Sequence, residues 1–402
     1  MGDKASEGAV FEVAAGPHDR RGAIVTVACP ACEGGDDCGC ECGCGCGCET
    51  GAACTHELWE LDAEGKDAKP VACQCICEPG GCRVTWIVAD LAAGQARRYR
   101  LGSGGGIAAA GVEVKYAEGE QADFLLGGEL FTSYLVRPDV ARPYCWPVLG
   151  PGGIKVTNCP TRDHPHHKSM YVAQGDVNGW DNWSEMEGHA KTVNESVAVV
   201  TQGPIVGAIE ATNDWVTPGG EKLLREITRV AVYHAGPDAR LMDWTTTWRA
   251  DYQGIHLGDT KEAGTLSVRV AESLEETYTG HIVNAHGAKG EEECWGKRSP
   301  WVDYWGTAEG EVLGLAIFDH PNNLRHPTYW HVRGYGLFTA NEWGLHDYTG
   351  DWSKRGDFDL PRGSELVFNF RVYIHRGDTD EGEVAARYLD YAFPPKVKLV
   401  EG

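Results

Sequence analysis

ELVFNFRVYIH, residues 365–375, is rich in β-branched and aromatic side chains and free of Gly and Pro, so it reads as a β-strand. The same signature recurs to either side of it. ELFTSYLV (129–136), SVAVVTQ (196–202), REITRVAVYH (225–234) and GTLSVRVAES (264–273) are runs of this kind separated by Gly, Pro, Asn and Asp turns. VLGLAIF (312–318) is the best apolar run and reads as a buried strand, far short of the roughly 20 residues a membrane helix needs. Near the start, GAIVTVA (22–28), RVTWIVADL (83–91) and ARRYRL (96–101) form a shorter set. Only DEGEVAARYLDYA (380–392), with acidic residues at its start and a Phe-Pro-Pro stop, predicts a helix. The expectation is an all-β protein in two parts: a small β module over 1–115 and a large antiparallel β-sandwich over 116–402 that carries the ligand site.

The 402 residues suffice for a large core, and 53 Gly and 14 Trp fit a turn-rich β architecture. A formal charge of −23 repels a phosphate backbone, so nucleic acid is not an expected partner. Neither is a membrane. The first residues, MGDKASEGAVFEV, lack the pattern of a secretory signal, which predicts a cytoplasmic protein unless a leader has been removed. GSGGGIAAAG (102–111) contains a formal G-x-G-x-x-A at Gly104, Gly106 and Ala109, but a strand-like GVEVKYAEG follows where a dinucleotide site needs a helix, so a linker is expected.

Thirteen of the 16 cysteines fall within 29–82, as an insertion in the small module: Cys29, Cys32, Cys38, Cys40, Cys42, Cys44, Cys46, Cys48, Cys54, Cys73, Cys75, Cys77 and Cys82. In CGCECGCGCGC (38–48) an extended chain would project six sulfurs from one face. Neighbours at that spacing are poorly placed for disulfides, and thirteen cannot all pair. Clustered thiolates suit Zn²⁺, Cu⁺ or an iron–sulfur cluster, against the alternative of a disulfide-laced or unstructured loop.

DHPHHKSMY (163–171) places His164, His166 and His167 within four positions, with Pro165 excluding a helix. Read as extended chain, it turns His164 and His166 to one side and His167 to the other. His320, His326 and His331 form a second polar group with Asn322, Asn323 and Arg325. Imidazole titrates nearest neutrality, so two such groups meeting in one cleft predict acid–base chemistry, with open metal coordination or plain turn capping as alternatives. Glu262, Asp176 and Asp347 are candidate carboxylates. H-E-x-x-H is absent. Tryptophans 180, 183, 295, 301, 305, 330 and 343, with Tyr304 and Tyr329, offer flat faces suited to a sugar ring, or else a core.

RPYCWPVLGPGG (142–153), the 161–185 and 258–273 segments, ECWGKRSPWVDYWG (293–306) and the 317–348 segment together resemble the family labelled methane oxygenase PmoA, over about 11–395. The cysteine insertion departs from that pattern. The resemblance implies a galactose-mutarotase-like antiparallel supersandwich that cradles a sugar. From the residues themselves, the expected roles are His164 or His167 as acid, Glu262 as base, Asp163 orienting an imidazole, and Lys168 or Arg325 clamping an oxygen, with His326 and His331 also catalytic. Arg142, His166, Asp176, Asn178, Trp180, Trp183, Arg325, Tyr329, Trp330 and His346 would contact the ligand. The function expected is a carbohydrate-active enzyme without a catalytic cofactor, acting on a saccharide or small polar ligand. The alternative is a non-catalytic carbohydrate-binding, metal-binding or structural protein, with oligomerisation left open.

Overall fold

A computed structural model describes residues 8–29, 56–78, 81–103 and 111–401. Among them the chain is nearly all β, as the strand periodicity predicts. Two eight-stranded sheets, antiparallel throughout, pack face to face over the main core, which gives the expected all-β sandwich. Sheet one runs, edge to edge, Tyr329–Val332, Leu337–Asn341, Ala263–Arg269, Met170–Gln174, Tyr144–Val148, Glu129–Leu135, Gln121–Leu126 and Val112–Ala117. Sheet two runs Lys191–Thr201, Val206–Val216, Lys222–Tyr233, Ala239–Arg249, Glu365–Arg376, Glu311–Asp319, Trp301–Ala308 and His281–Asn284. The run that opened the sequence reading is therefore a central strand, and VLGLAIF lies beside it.

Side-chain alternation fills the space between the sheets. Met170, Val172, Leu266, Val268, Trp330, Val332 and Phe338 point inward from sheet one to meet Trp244, Trp248, Phe368 and Phe370 from sheet two. Each such large side chain contributes about 1.5–3 kcal/mol by leaving water. One buried carboxylate is tolerated there because it is saturated: Glu226 accepts from Asn213, Thr228, Trp215 and Trp248.

The small module holds a five-stranded and a three-stranded sheet around their own core, which includes Phe11, Leu58, Val84 and Trp86. Its outer strand comes from far along the chain, because Lys396–Glu401 pairs with Ala9–Ala14. Gln74 fastens the module to the sandwich: its amide donates to Thr201 Oγ1 and the Val206 carbonyl and accepts from the backbone N–H of Ile205 and Val206, all within 2.9–3.0 Å.

The helix spans Val384–Ala392, four residues shorter than predicted. Glu383 sits at φ 50°, outside helical geometry, so the acidic residues precede the helix and do not cap its first turn. Val384, Tyr388 and Ala392 cover the outer face of sheet two. No helix among the described residues is long and apolar enough to cross a membrane.

Candidate functional site

The alternation that sends apolar residues into the core sends a polar set to the opposite face of sheet one. Tyr171 opposes Ser267, Ser267 opposes Thr339, and Thr339 opposes His331, which makes one cross-strand row over four strands. Arg269 lies two residues beyond Ser267, on the same face. Of this row, His331 reaches a cavity of ≈ 610 Å³. His164, His166, His167, Glu262, His331, Arg333 and Tyr335 line it, with Asp181, Trp183, Ser184, Thr260 and Lys261 at its sides.

Residues 163–167 are not extended as the sequence reading had them. The His167 N–H donates to the His164 carbonyl at 2.8 Å, closing a turn with Pro165 at its second position, where a fixed φ is favoured. Closure gathers the three imidazoles that an extended chain would have separated. His164 stacks on His167 with centroids 4.6 Å apart and on Tyr335 at 4.9 Å, while His166 meets His167 edge-on at 4.4 Å.

Arg142 pins this turn from beneath. Fully buried, its guanidinium donates to the carbonyls of His166, Asn182 and Trp183 and to Glu185. It thus locks the histidine turn to the WDNW segment and does not line the cavity. Lys168 bonds the Pro165 carbonyl and Glu185 and is likewise a fastening.

Proton positions follow from the partners. His331 Nδ1 lies 2.8 Å from the Lys261 carbonyl, which can only accept, so the ring proton sits on Nδ1 and Nε2 keeps a lone pair. Burial, aided by the charges of Arg333 and Lys261, pushes the His331 pKa down to about 4, so the ring is neutral at pH 7. His167 has the opposite tautomer. Its Nδ1 stands 3.5 Å from Arg269 Nη1, which can only donate, leaving the proton on Nε2. Burial and the neighbouring His166, His164 and Arg269 keep it neutral, as burial and Arg142 do His166, whose pKa falls to about 4.

Arg269 organises the rear of the site. It donates to Asp163 and to Glu275 at 2.9 Å each, and Tyr335 lies 5.1 Å from its guanidinium carbon. Burial alone would raise the Asp163 pKa, but hydrogen bonds from His164 and Arg269 hold it well below the usual carboxylate range. Asp163 therefore stays ionised and accepts from His164 Nδ1 at 2.9 Å. Gly175 lets the Glu262 backbone approach, since a Cβ there would stand 2.6 Å from the Glu262 carbonyl oxygen.

The remaining sequence candidates lie elsewhere. His326 bonds Asp319 at 2.7 Å, and Asn323 donates to the same carboxylate, a local brace away from the cavity. His320 packs edge-on against Tyr391. Arg325 is spent on the carbonyls of Glu342, Gly356 and Asp357. Asp176 and Asn178 shape a turn, with Asp176 accepting from Gly179 and Asn178 bonding His256 and Gly254. Trp180 stands partly exposed outside the cavity. Trp330 is core, and Tyr329 stacks on Tyr348. His346 pairs with Asp259 at 2.7 Å. Of the proposed aromatic wall, only Trp183 reaches the cavity. Arg269, Arg333, Tyr335 and Lys261 were missed by sequence reading, although Arg269 was visible as a charge among the alternating apolar residues of GTLSVRV.

Among the described residues, the one cluster of metal-ligating atoms within 4.8 Å of one another is Cys29, His56 and Cys75, not the cavity histidines. Cys73 and Cys82 lie near it, in and beside the small module's core. Cys32, Cys38, Cys40, Cys42, Cys44, Cys46, Cys48 and Cys54, like the side chain of Cys77, fall outside the described residues.

A family model described as a family of unknown function, DUF6807, matches residues 121–389, which is most of the chain and all of the cavity lining. The chain belongs to DUF6807. That match overturns the resemblance to the methane oxygenase PmoA family, and the strands of the small module lie outside it. No curated protein sequence matches this DUF6807 chain. Among solved structures, a protein in glycosyl hydrolase family 38 from Enterococcus faecalis aligns with a TM-score of 0.47 and 10% identity over 98% of this chain and 48% of its own. An alpha-mannosidase from Enterococcus faecalis V583 aligns with a TM-score of 0.42 and 11% identity, over 99% and 47%. The DUF6807 chain thus spans about half the length of each.

Proposed function

We propose that this protein binds a saccharide or similar polyhydroxylated small molecule in the cavity on sheet one and moves a proton on it. What carries the reading is the meeting, around one space, of a carboxylate and two neutral imidazoles of opposite tautomer. Glu262 supplies the base. His167 Nε2–H, held neutral, donates to an oxygen on which charge develops, and the Arg333 guanidinium adds positive charge beside it. His331 Nε2 accepts from a hydroxyl. Asp163 and Arg269 are positioning residues acting through His164 and His167. The ≈ 610 Å³ volume falls within the roughly 300–1,000 Å³ usual for small-molecule sites. This is acid–base isomerisation of a sugar or keto-sugar, and it needs no nucleotide.

The test is a saccharide panel screened by calorimetry, with each binder then incubated in D₂O and analysed by mass spectrometry. Carbon-bound deuterium should appear with the wild-type chain. Glu262→Gln should retain binding but lose exchange, whereas His331→Gln should weaken binding. If no sugar binds, the reading fails. Binding without exchange in the wild type would leave a carbohydrate-binding protein and remove the catalytic part.

A further inference from the structure

Outside the DUF6807 match, the small module gathers a second group of reactive side chains. Cys29 directly follows the strand Ala23–Ala28, and Cys75 lies in Cys73–Glu78; both strands flank Gly81–Val88 in the three-stranded sheet. His56 opens the strand His56–Leu61 of the five-stranded sheet. The Cys29 N–H donates to the Cys82 carbonyl at 2.8 Å, and Cys75 stands opposite Val84, which fixes both cysteines in register. All three side chains are buried, and their ligand atoms lie within 4.8 Å of one another, with Cys29 Sγ 3.8 Å from His56 Nε2.

We propose that Cys29, His56 and Cys75 form a Zn²⁺ site that cross-links the two sheets of the small module and closes the neck of the cysteine-rich segment between residues 29 and 56. Tetrahedral zinc, with Zn–S near 2.3 Å and Zn–N near 2.0–2.1 Å, places sulfur and nitrogen roughly 3.5–3.6 Å apart, and the observed sulfur–nitrogen separation of 3.8 Å needs only a small inward shift to reach it. The imidazole is aimed. Nε2 is the ring nitrogen that faces the Cys29 sulfur, and it is the atom a zinc ion there would take. Charge favours zinc over copper: two thiolates, one neutral imidazole and Zn²⁺ sum to zero, whereas Cu⁺ would leave a buried negative charge. Binding releases the two thiol protons to solvent as the thiolates form. The fourth position falls to water, because the Cys73 thiol is engaged by the His56 carbonyl.

The experiment uses the full chain with Cys32, Cys38, Cys40, Cys42, Cys44, Cys46, Cys48 and Cys54 all changed to Ser, so that any remaining sulfur ligation belongs to the module. One equivalent of Co²⁺ should give sulfur-to-cobalt charge-transfer bands that stoichiometric Zn²⁺ abolishes. X-ray absorption of the zinc form should show two sulfurs near 2.3 Å and nitrogen or oxygen near 2.0–2.1 Å. Changing second-shell groups alone costs about 10–100-fold in metal affinity, so Cys75→Ser, which removes a ligand, should cost more than about 100-fold. Absence of bound metal, a sulfur-only shell, or preference for Cu⁺ over Zn²⁺ would overturn the proposal. The absorption spectrum decides even if Cys75→Ser fails to fold.

Discussion

Replacing His331 with Gln tests the electrostatics of the cavity through stability. An unfolded histidine titrates near 6.5, but burial lowers the native His331 pKa to about 4. Between those values the unfolded chain binds a proton that the native chain refuses, so the contribution is intact above pH 6.5 and drains away as pH falls towards 4. At about 1.4 kcal/mol per pKa unit, His331 should cost the wild type roughly 2 kcal/mol at pH 5 and about 3 kcal/mol at pH 4, relative to pH 8. Glutamine does not titrate and offers an amide N–H to the Lys261 carbonyl, so His331→Gln removes the pH-dependent part with little change of shape. Urea unfolding followed by tryptophan fluorescence at pH 8, 6.5 and 5 gives each protein's midpoint. The stability of the wild type minus that of the variant should fall by roughly 2 kcal/mol from pH 8 to pH 5. A difference independent of pH, or one that grows on acidification, would refute a neutral, desolvated His331 and with it the acceptor role of Nε2.

Arg269→Met should lose about 3–5 kcal/mol, because it strands Glu275 and Asp163 without their shared buried cation. The lower end is expected because Asp163 is 41% exposed, and adding Glu275→Gln should recover part of the loss in the same unfolding assay. Gly175→Ala should leave secondary structure intact by circular dichroism but weaken ligand binding, because its Cβ displaces the Glu262 backbone; equal affinity would show that the 260–262 loop does not set the site.

The strands were legible because their residues alternate against turn signals, and the outward aim of His331 was implicit in the same alternation. In YWHV (329–332), one period-two pattern sends Trp330 and Val332 inward and His331 outward. Polar neighbours around a tryptophan therefore say nothing about the tryptophan itself, which is why Trp330 and Trp343 are core despite their wet surroundings in the sequence. His326 and Arg325 looked like site residues for their polarity alone, yet their hydrogen bonds are consumed by Asp319 and by backbone carbonyls. No local rule reveals that. The turn at 164–167 could have been read from Pro165, whose fixed φ suits a turn as well as an extended segment, and choosing the turn would have united the histidines. Arg269 became visible as an organiser only once its strand was placed beside Met170–Gln174.

The pairing of Lys396–Glu401 with Ala9–Ala14 has a consequence for biosynthesis. On the ribosome, the first strand leaves the exit tunnel almost four hundred residues before the segment that will shield its open side. Throughout that interval its backbone offers N–H and C=O groups to any extended segment nearby, including another nascent copy on the same message. Translation at about 5–20 residues per second stretches this vulnerable period to tens of seconds. The large sandwich is thus made in full while the unit that precedes it still awaits its last piece.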